Sequence, residues 1–363
     1  MRTVADPTKA WETKALKHDK ILTSCKYTPA GDAVLSGSFD GKIYRWAIES
    51  GEKSVVGSHV AWVTAIVPGP SDRLYSADIQ GNVKAWNLKE SKEVWKIDGA
   101  HAMWLKAMAL SPDGSLLATG ARDAVVKIWS TKDGKLVKEL KGHGRDVYSA
   151  AFHPDGRSLA TGDYEGKILH WDVATGKLVR TLDAGLLVTR STEFLCDVGG
   201  VRALGFDREG KRLAATGLRD AKSNTFCPGT PAGLVFDWES GKPATTLKAK
   251  DEKIDGGIIG VRFMADGTLV GCAESQATGA IWFWKPGEAE PFHQIGGQSL
   301  YEVDLHPDGV SLAGVCFQMI GHAGNGRGNR GDYVSHGGNI RLFSMTEKPK
   351  NLPKAPAKPA PKK

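Results

Sequence analysis

Short apolar stretches that alternate with polar residues, separated by glycine-containing turns, recur along this chain in a fixed order. Four segments align column by column: Ser36 to Trp46, Ser76 to Trp86, Thr119 to Trp129 and Thr161 to Trp171. A histidine precedes each (His18, His59, His101, His143), followed by an alternating apolar stretch, and Pro112-Asp113-Gly114 and Pro154-Asp155-Gly156 mark turns. The steps from one Trp to the next are 40, 43 and 42 residues. Alternation with a period of two predicts half-buried strands. A period in the low forties, with four short strands per unit, predicts a propeller.

The chain resembles the WD-repeat (WD40) β-propeller family, whose paired dipeptides stand here as Gly142-His143 and Trp171-Asp172. The resemblance continues more faintly through Phe206, Thr216, Asp220 and Trp238 in a fifth unit, and through Phe263, Asp266-Gly267 and Trp284 in a sixth. The seventh has His306-Pro307-Asp308-Gly309, then Phe343 in the Trp column. The expected fold is all-β: one seven-bladed propeller over residues 1–347, followed by a Lys/Pro/Ala tail over 348–363. The last blade has sequence for only three strands, and Trp11 to Lys17 belongs to no unit. By resemblance that stretch closes the ring as the outer strand of blade 7, which protects an otherwise open sheet edge.

The His, Ser/Thr, Asp and Trp of each unit have the residue types of a hydrolase triad, but the resemblance implies a buried structural network inside each blade. Such a network satisfies polar groups in a tight core. A full set is readable in blade 1 (His18, Ser36, Asp40, Trp46) and blade 3 (His101, Thr119, Asp123, Trp129). Gln80 and Glu165 occupy the Asp column of blades 2 and 4, so different networks are expected there. Blades 5 to 7 lack the His. A set repeated around a ring argues against catalysis, and no phosphate-binding loop, zinc-protease helix or nucleophile elbow occurs. No catalytic residue, metal or cofactor is expected. His322, Asp332 and His336 match no known metal-site spacing.

Later Trp steps are longer, at 67 and 46 residues, with 59 more to Phe343. The excess falls at about 183–200, at 222–233 and at 318–338. Connections into a first strand and between strands two and three leave a propeller on the same face, so the insertions gather there and suggest a binding surface. On that face Trp62 and Trp104 stand just before the first strands of blades 2 and 3, with Asp146 in blade 4. Two residues further on, Thr23, Thr64, Lys106, Tyr148, Arg202, Ile259 and Tyr301 line the channel mouth. Trp, Tyr and Arg in one ring have hot-spot composition; burial of both Trp between blades is the alternative. Arg327 and Arg330, spaced by glycines in the blade 7 insertion, suit an acidic group. The expected function is a non-catalytic scaffold for a protein or peptide partner. Two alternatives remain open: a small-ligand or metal-binding propeller with enzyme-like activity at the mouth, and a salt-sensitive nucleic-acid contact through the tail.

Composition fits this picture. Of 363 residues 41% are hydrophobic and 25% charged, and 44 Gly and 11 Trp suit many tight turns around large aromatics. Uncharged apolar runs fall short of the ~18 residues that a membrane helix needs. Met1 to Lys20 has no apolar core of a secretory signal, and the five Cys form no C-x-x-C pair, so a cytoplasmic home with reduced thiols is expected. The net charge of +7 lies mostly in the tail: six of its sixteen residues are Lys, leaving 42 basic against 41 acidic residues. The ring's charge therefore gives no argument for nucleic acid, and an acidic partner is a matter for the tail.

Overall fold

The computed structural model describes residues 4–191, 196–222, 229–249, 254–275, 278–297, 299–318 and 337–349. Arg327, Arg330, His322, Asp332, His336 and the tail beyond residue 349 lie outside them. The described residues form seven four-stranded antiparallel sheets, arranged as the blades of a propeller, and no α-helix. Blade 4 shows the pattern: Val147–Phe152, Ser158–Asp163, Lys167–Asp172 and Leu178–Asp183, from the inner strand outward. Its second strand is buried almost throughout, because neighbouring blades cover both faces; its outer strand alternates and meets solvent. That explains why second strands read as small and apolar (Leu159-Ala160-Thr161-Gly162) and why the outer strands carry charge.

The core is a ring of interfaces between blades. Ala118, Ile128 and Leu140 of blade 3 pack with Phe152, Leu159 and Trp171 of blade 4 in one cluster. Leu16, Ile340 and Val315 of blade 7 likewise pack with Tyr27 and Trp46 of blade 1. Inner strands are also joined by polar bonds: Thr64 Oγ1 donates to Leu105 O at 2.5 Å, and Ser149 Oγ donates to Val201 O at 2.9 Å.

Blade 7 takes its outer strand from the N-terminus. Trp11–His18 runs antiparallel to Gly337–Ser344, pairing Trp11 with Ser344 and His18 with Gly338. At this seam the inner strand of blade 1 shrinks to Lys26–Tyr27. Side chains of blade 7 take its backbone donors: Cys25 N–H donates to Glu302 Oε2 (3.0 Å) and Tyr27 N–H to Asp304 Oδ2 (2.9 Å).

The turn between strands two and three passes through left-handed backbone, at Gly81 with φ +83° in blade 2. A Cβ there would also lie 2.2 Å from His101 O. Blade 3 places Ala124 at the same turn with φ 61°, a conformation that costs a non-glycine residue roughly 1–2 kcal/mol.

Two insertions differ from their sequence outline. The stretch before blade 5 folds as a short 3₁₀ turn, Gly185–Leu187, then a hairpin, Val188–Ser191 with Cys196–Gly199. The one expected at 222–233 is confined to 220–229, because strands two and three of blade 5 are Arg212–Arg219 and Thr230–Asp237.

Blade 5 also corrects the repeat alignment. Asp237 N–H donates to Lys242 O as Asp172 N–H does to Lys177 O, so Phe236, not Trp238, occupies the column of Trp171. By the same register Ala215, not Thr216, occupies the hydroxyl column. The blade has lost the indole and the hydroxyl of the network, and two apolar residues, Phe236 and Ala215, stand in their columns. Trp238 instead packs against blade 4, on His153, His170 and Arg180.

Candidate interaction site at the channel mouth

The repeated polar residues form interior chains. In blade 2, Trp86 Nε1–H donates to Ser76 Oγ (2.7 Å), which contacts His59 Nε2 (2.7 Å), while His59 Nδ1 faces Asp78 Oδ2 (3.1 Å). Blade 4 repeats this through Trp171, Thr161, His143 and Asp163, at 2.8, 2.7 and 2.8 Å. Blade 3 does so through Trp129, Thr119, His101 and Asp123, at 2.8, 2.8 and 3.0 Å. One proton assignment suits each chain: indole N–H to hydroxyl, hydroxyl to Nε2, and Nδ1–H to carboxylate, with a neutral imidazole. Burial keeps His101 below its ordinary pKa. Burial alone would raise the Asp78 carboxyl, but hydrogen bonds from His59 and Asn82 outweigh it and hold it low.

Two expectations change. Blades 2 and 4 carry complete chains, because Asp78 and Asp163, two residues before Gln80 and Glu165, reach the histidine from the end of the second strand. Blade 1, which read as complete, is interrupted. Tyr44 Oη–H takes the Asp40 carboxylate at 2.6 Å and Ser36 Oγ donates to Gly37 O. His18 Nε2 is left 3.9 Å from Asp40 without a hydrogen bond. The cause is Tyr44, whose hydroxyl competes for the acid; the other full chains have Lys84, Lys127 and Leu169 in that column.

The mouth is built by a second regularity. In blades 1 to 4 the residue two before the ring position accepts a backbone bond from the turn between strands two and three: Phe39 to Ile21, Ile79 to Trp62, Arg122 to Trp104 and Tyr164 to Asp146. These bonds of 2.9–3.1 Å hold the incoming segment upright over the channel. Trp62 (46% exposed) stacks on Phe39 of the neighbouring blade, with centroids 4.2 Å apart and planes 4° from parallel. Trp104 is 36% exposed. Burial of the two between blades is thereby overturned. With Ile21, Thr23, Thr64, Lys106 and Tyr301 they line a cavity of about 340 Å³.

Beyond Trp104 the mouth becomes cationic. Lys106 Nζ lies 5.9 Å from the Trp104 ring centre and 5.2 Å from that of Tyr148. The Arg202 guanidinium lies over Tyr148 (4.6 Å) and Tyr164 (5.8 Å). Burial pushes the Tyr148 phenol up, so it stays neutral. The Asp146 carboxylate accepts from Arg122 Nε at 2.9 Å, which makes it a tie between blades 3 and 4. Tyr164 Oη–H donates to Asp197 O at 2.6 Å and so pins the blade 5 hairpin beside Arg202. Phe39, Arg122 and Tyr164 are absent from the sequence-derived site. Their signal is the column just before the acid column of each turn, whose backbone N–H bonds the Trp column of the same blade. Among the described residues no group of three or more His, Cys, Asp or Glu is placed to share a metal ion, and no helix is long and apolar enough to cross a membrane.

A ring of four-stranded blades with polar chains in their interiors and an aromatic, basic channel mouth defines a β-propeller. The family model for the WD domain, G-beta repeat, matches residues 12–47, 92–130 and 134–172. The protein is a seven-bladed β-propeller, and three of its segments match the WD repeat. The first match begins in the N-terminal strand of blade 7 and runs through the third strand of blade 1, so the sequence repeat is offset from the structural blade. No curated protein matches the chain.

Proposed function

We propose that this propeller is a non-catalytic scaffold that holds a protein partner on the face of the channel mouth and the blade 5 hairpin. The fold fits a protein-interaction role. The observation that carries the choice of face is where large apolar side chains are exposed. Val60, Trp62, Met103, Trp104 and Leu186 all lie in connections leading into an inner strand. The other group, among them Val94, Leu136, Val137, Leu178 and Val179, is spread along outer strands around the rim. Rigid, half-exposed Trp around a cavity is the composition of an interface anchor. Arg327 and Arg330 of the blade 7 insertion join this face in the proposal, and the tail adds a loose contact to acidic surfaces. A cytoplasmic scaffold suits the free, buried thiols of Cys25, Cys272 and Cys316.

The test compares affinity capture from native lysate by wild type, Trp62→Ala/Trp104→Ala and a rim control, Leu136→Ala/Leu178→Ala. The reading expects specific partners to be lost by the mouth variant and kept by the rim variant. Loss at the rim with retention at the mouth overturns it.

A further inference from the structure

The sign of charge in the channel differs from that of the molecule. Without its tail the chain carries 42 basic against 41 acidic residues. Among the described residues the channel is lined by Lys26, Lys106, Arg202 and Arg262 against a single carboxylate, Glu302. The excess is not evenly placed. Lys26 pairs with Glu302, and Arg262 lies 3.7 Å from Glu302 and 3.1 Å from Asp304, so the blade 6–7–1 side is largely neutralised. Lys106 and Arg202 lie on the opposite side, and no Asp or Glu belongs to their ring of seven mouth residues. Among the described residues Arg202 makes no ion pair. Its guanidinium is held over two tyrosines, and a stacked guanidinium keeps its edge donors available for a carboxylate.

Resting on the docking-face reading above, we infer that the partner presents an acidic peptide segment. One Asp or Glu carboxylate enters the channel mouth between Lys106 and Arg202. A bulky apolar side chain next to it fills the cavity between Trp62, Phe39 and Trp104. Two features support this occupant together. Lys106 lines both the channel and the apolar cavity, so an anionic and an apolar subsite adjoin. The aromatic walls also fix both cations, which lowers the ordering cost of binding. Among the described residues the mouth has no extended basic track for a phosphate backbone, which favours a peptide over a nucleic acid.

The test selects phage-displayed random heptapeptides on the full chain, then measures the most enriched peptide, fluorescein-labelled, by anisotropy. The inference expects Asp or Glu within two residues of Phe, Trp, Leu or Met. It also expects at least tenfold weaker binding to Arg202→Gln and to Lys106→Gln, with Arg202→Lys intermediate and thermal midpoints unchanged. Neutral or basic consensus peptides, or variants within twofold of wild type, overturn it. So does no enrichment over bare matrix, or displacement by an equal concentration of a thymidine oligonucleotide. Loss of binding in Trp62→Ala/Trp104→Ala, with both charge variants unaffected, refutes the acidic partner and leaves the docking face standing. Peptides indifferent to all four variants refute both.

Discussion

His143 Nδ1 lies 2.8 Å from Asp163 Oδ2, and both side chains are fully enclosed, although Asp163 stands two residues before the acid column of the repeat. The same carboxylate also accepts from the backbone N–H groups of Glu165 and Lys167, at 3.0 and 2.9 Å, so one group holds both the network and its turn. Asp163→Ala leaves the histidine and these two donors unpaired and is expected to cost about 3–5 kcal/mol. Glu165→Ala removes only contacts to Lys167 and Arg145 at the surface, worth about 0–1 kcal/mol. Urea unfolding of the two variants checks the ranking; equal effects would restore the acid role to Glu165.

Trp residues of the mouth and of the core are expected to separate by stability. Trp171→Ala empties a buried site between two blades and should cost about 3–5 kcal/mol. Trp62→Ala forfeits chiefly its stack on Phe39, about 0.5–1.5 kcal/mol. Denaturant midpoints at unchanged m-value make the comparison.

The N-terminal strand should stabilise the whole ring. Leu16 is buried between blades 7 and 1, and Leu16→Ala is expected to cost about 2–5 kcal/mol. Deleting residues 1–17 exposes the edge of Gly337–Ser344 and should lower the thermal midpoint further, with concentration-dependent aggregation in light scattering. A truncated chain that melts like wild type would show that closure contributes nothing.

Ala124 offers a gain. Its φ of 61° is unstrained for glycine, so Ala124→Gly should stabilise by roughly 1 kcal/mol, less the entropy that glycine adds to the unfolded chain. A rise in thermal midpoint of a few degrees or less is expected, against a fall for the reverse change, Gly81→Ala.

Acid sensitivity should be traceable to His170. Burial first, and the Arg180 charge second, push its pKa down from 6.5 to about 4. The folded state therefore favours the neutral ring while the unfolded chain takes up a proton below pH 6.5. Stability present above that pH is lost as pH falls toward 4 and changes no further from this group below it. His170→Gln should flatten the unfolding free energy between pH 6.5 and 4. A residual slope from His101, also held low by burial, will remain.

What the sequence could reveal follows the physics of each feature. The period and the Gly turns were legible because one left-handed turn recurs in blades 1 to 4, with glycine in three of them. The acid of the network was not, since the last residue of strand two and a turn residue two places on can both reach the imidazole. Tyr44 broke the blade 1 chain through a competing hydroxyl that no column pattern encodes. In blade 5 the lost polar pair removed the marks by which the repeat is aligned, and Trp238 two residues on took the eye. The mouth ring was legible as a register of inner strands. The stacks that shape it, Phe39 on Trp62 and Arg202 on Tyr164, join different blades and have no fixed sequence separation.

Closure through Trp11–His18 also sets how the molecule bears a load. Asp6 N–H donates to Met345 O at 2.8 Å and Trp11 pairs with Ser344, so the two ends leave the ring from the same corner of one blade. A pull between the termini meets the antiparallel pair end-on and opens it one bond at a time, as a zipper opens, not by shearing all of its bonds together. A partner that hauls on the C-terminal tail while the N-terminus is anchored would thus unfasten blade 7 first, leaving the other six blades and most of the mouth assembled.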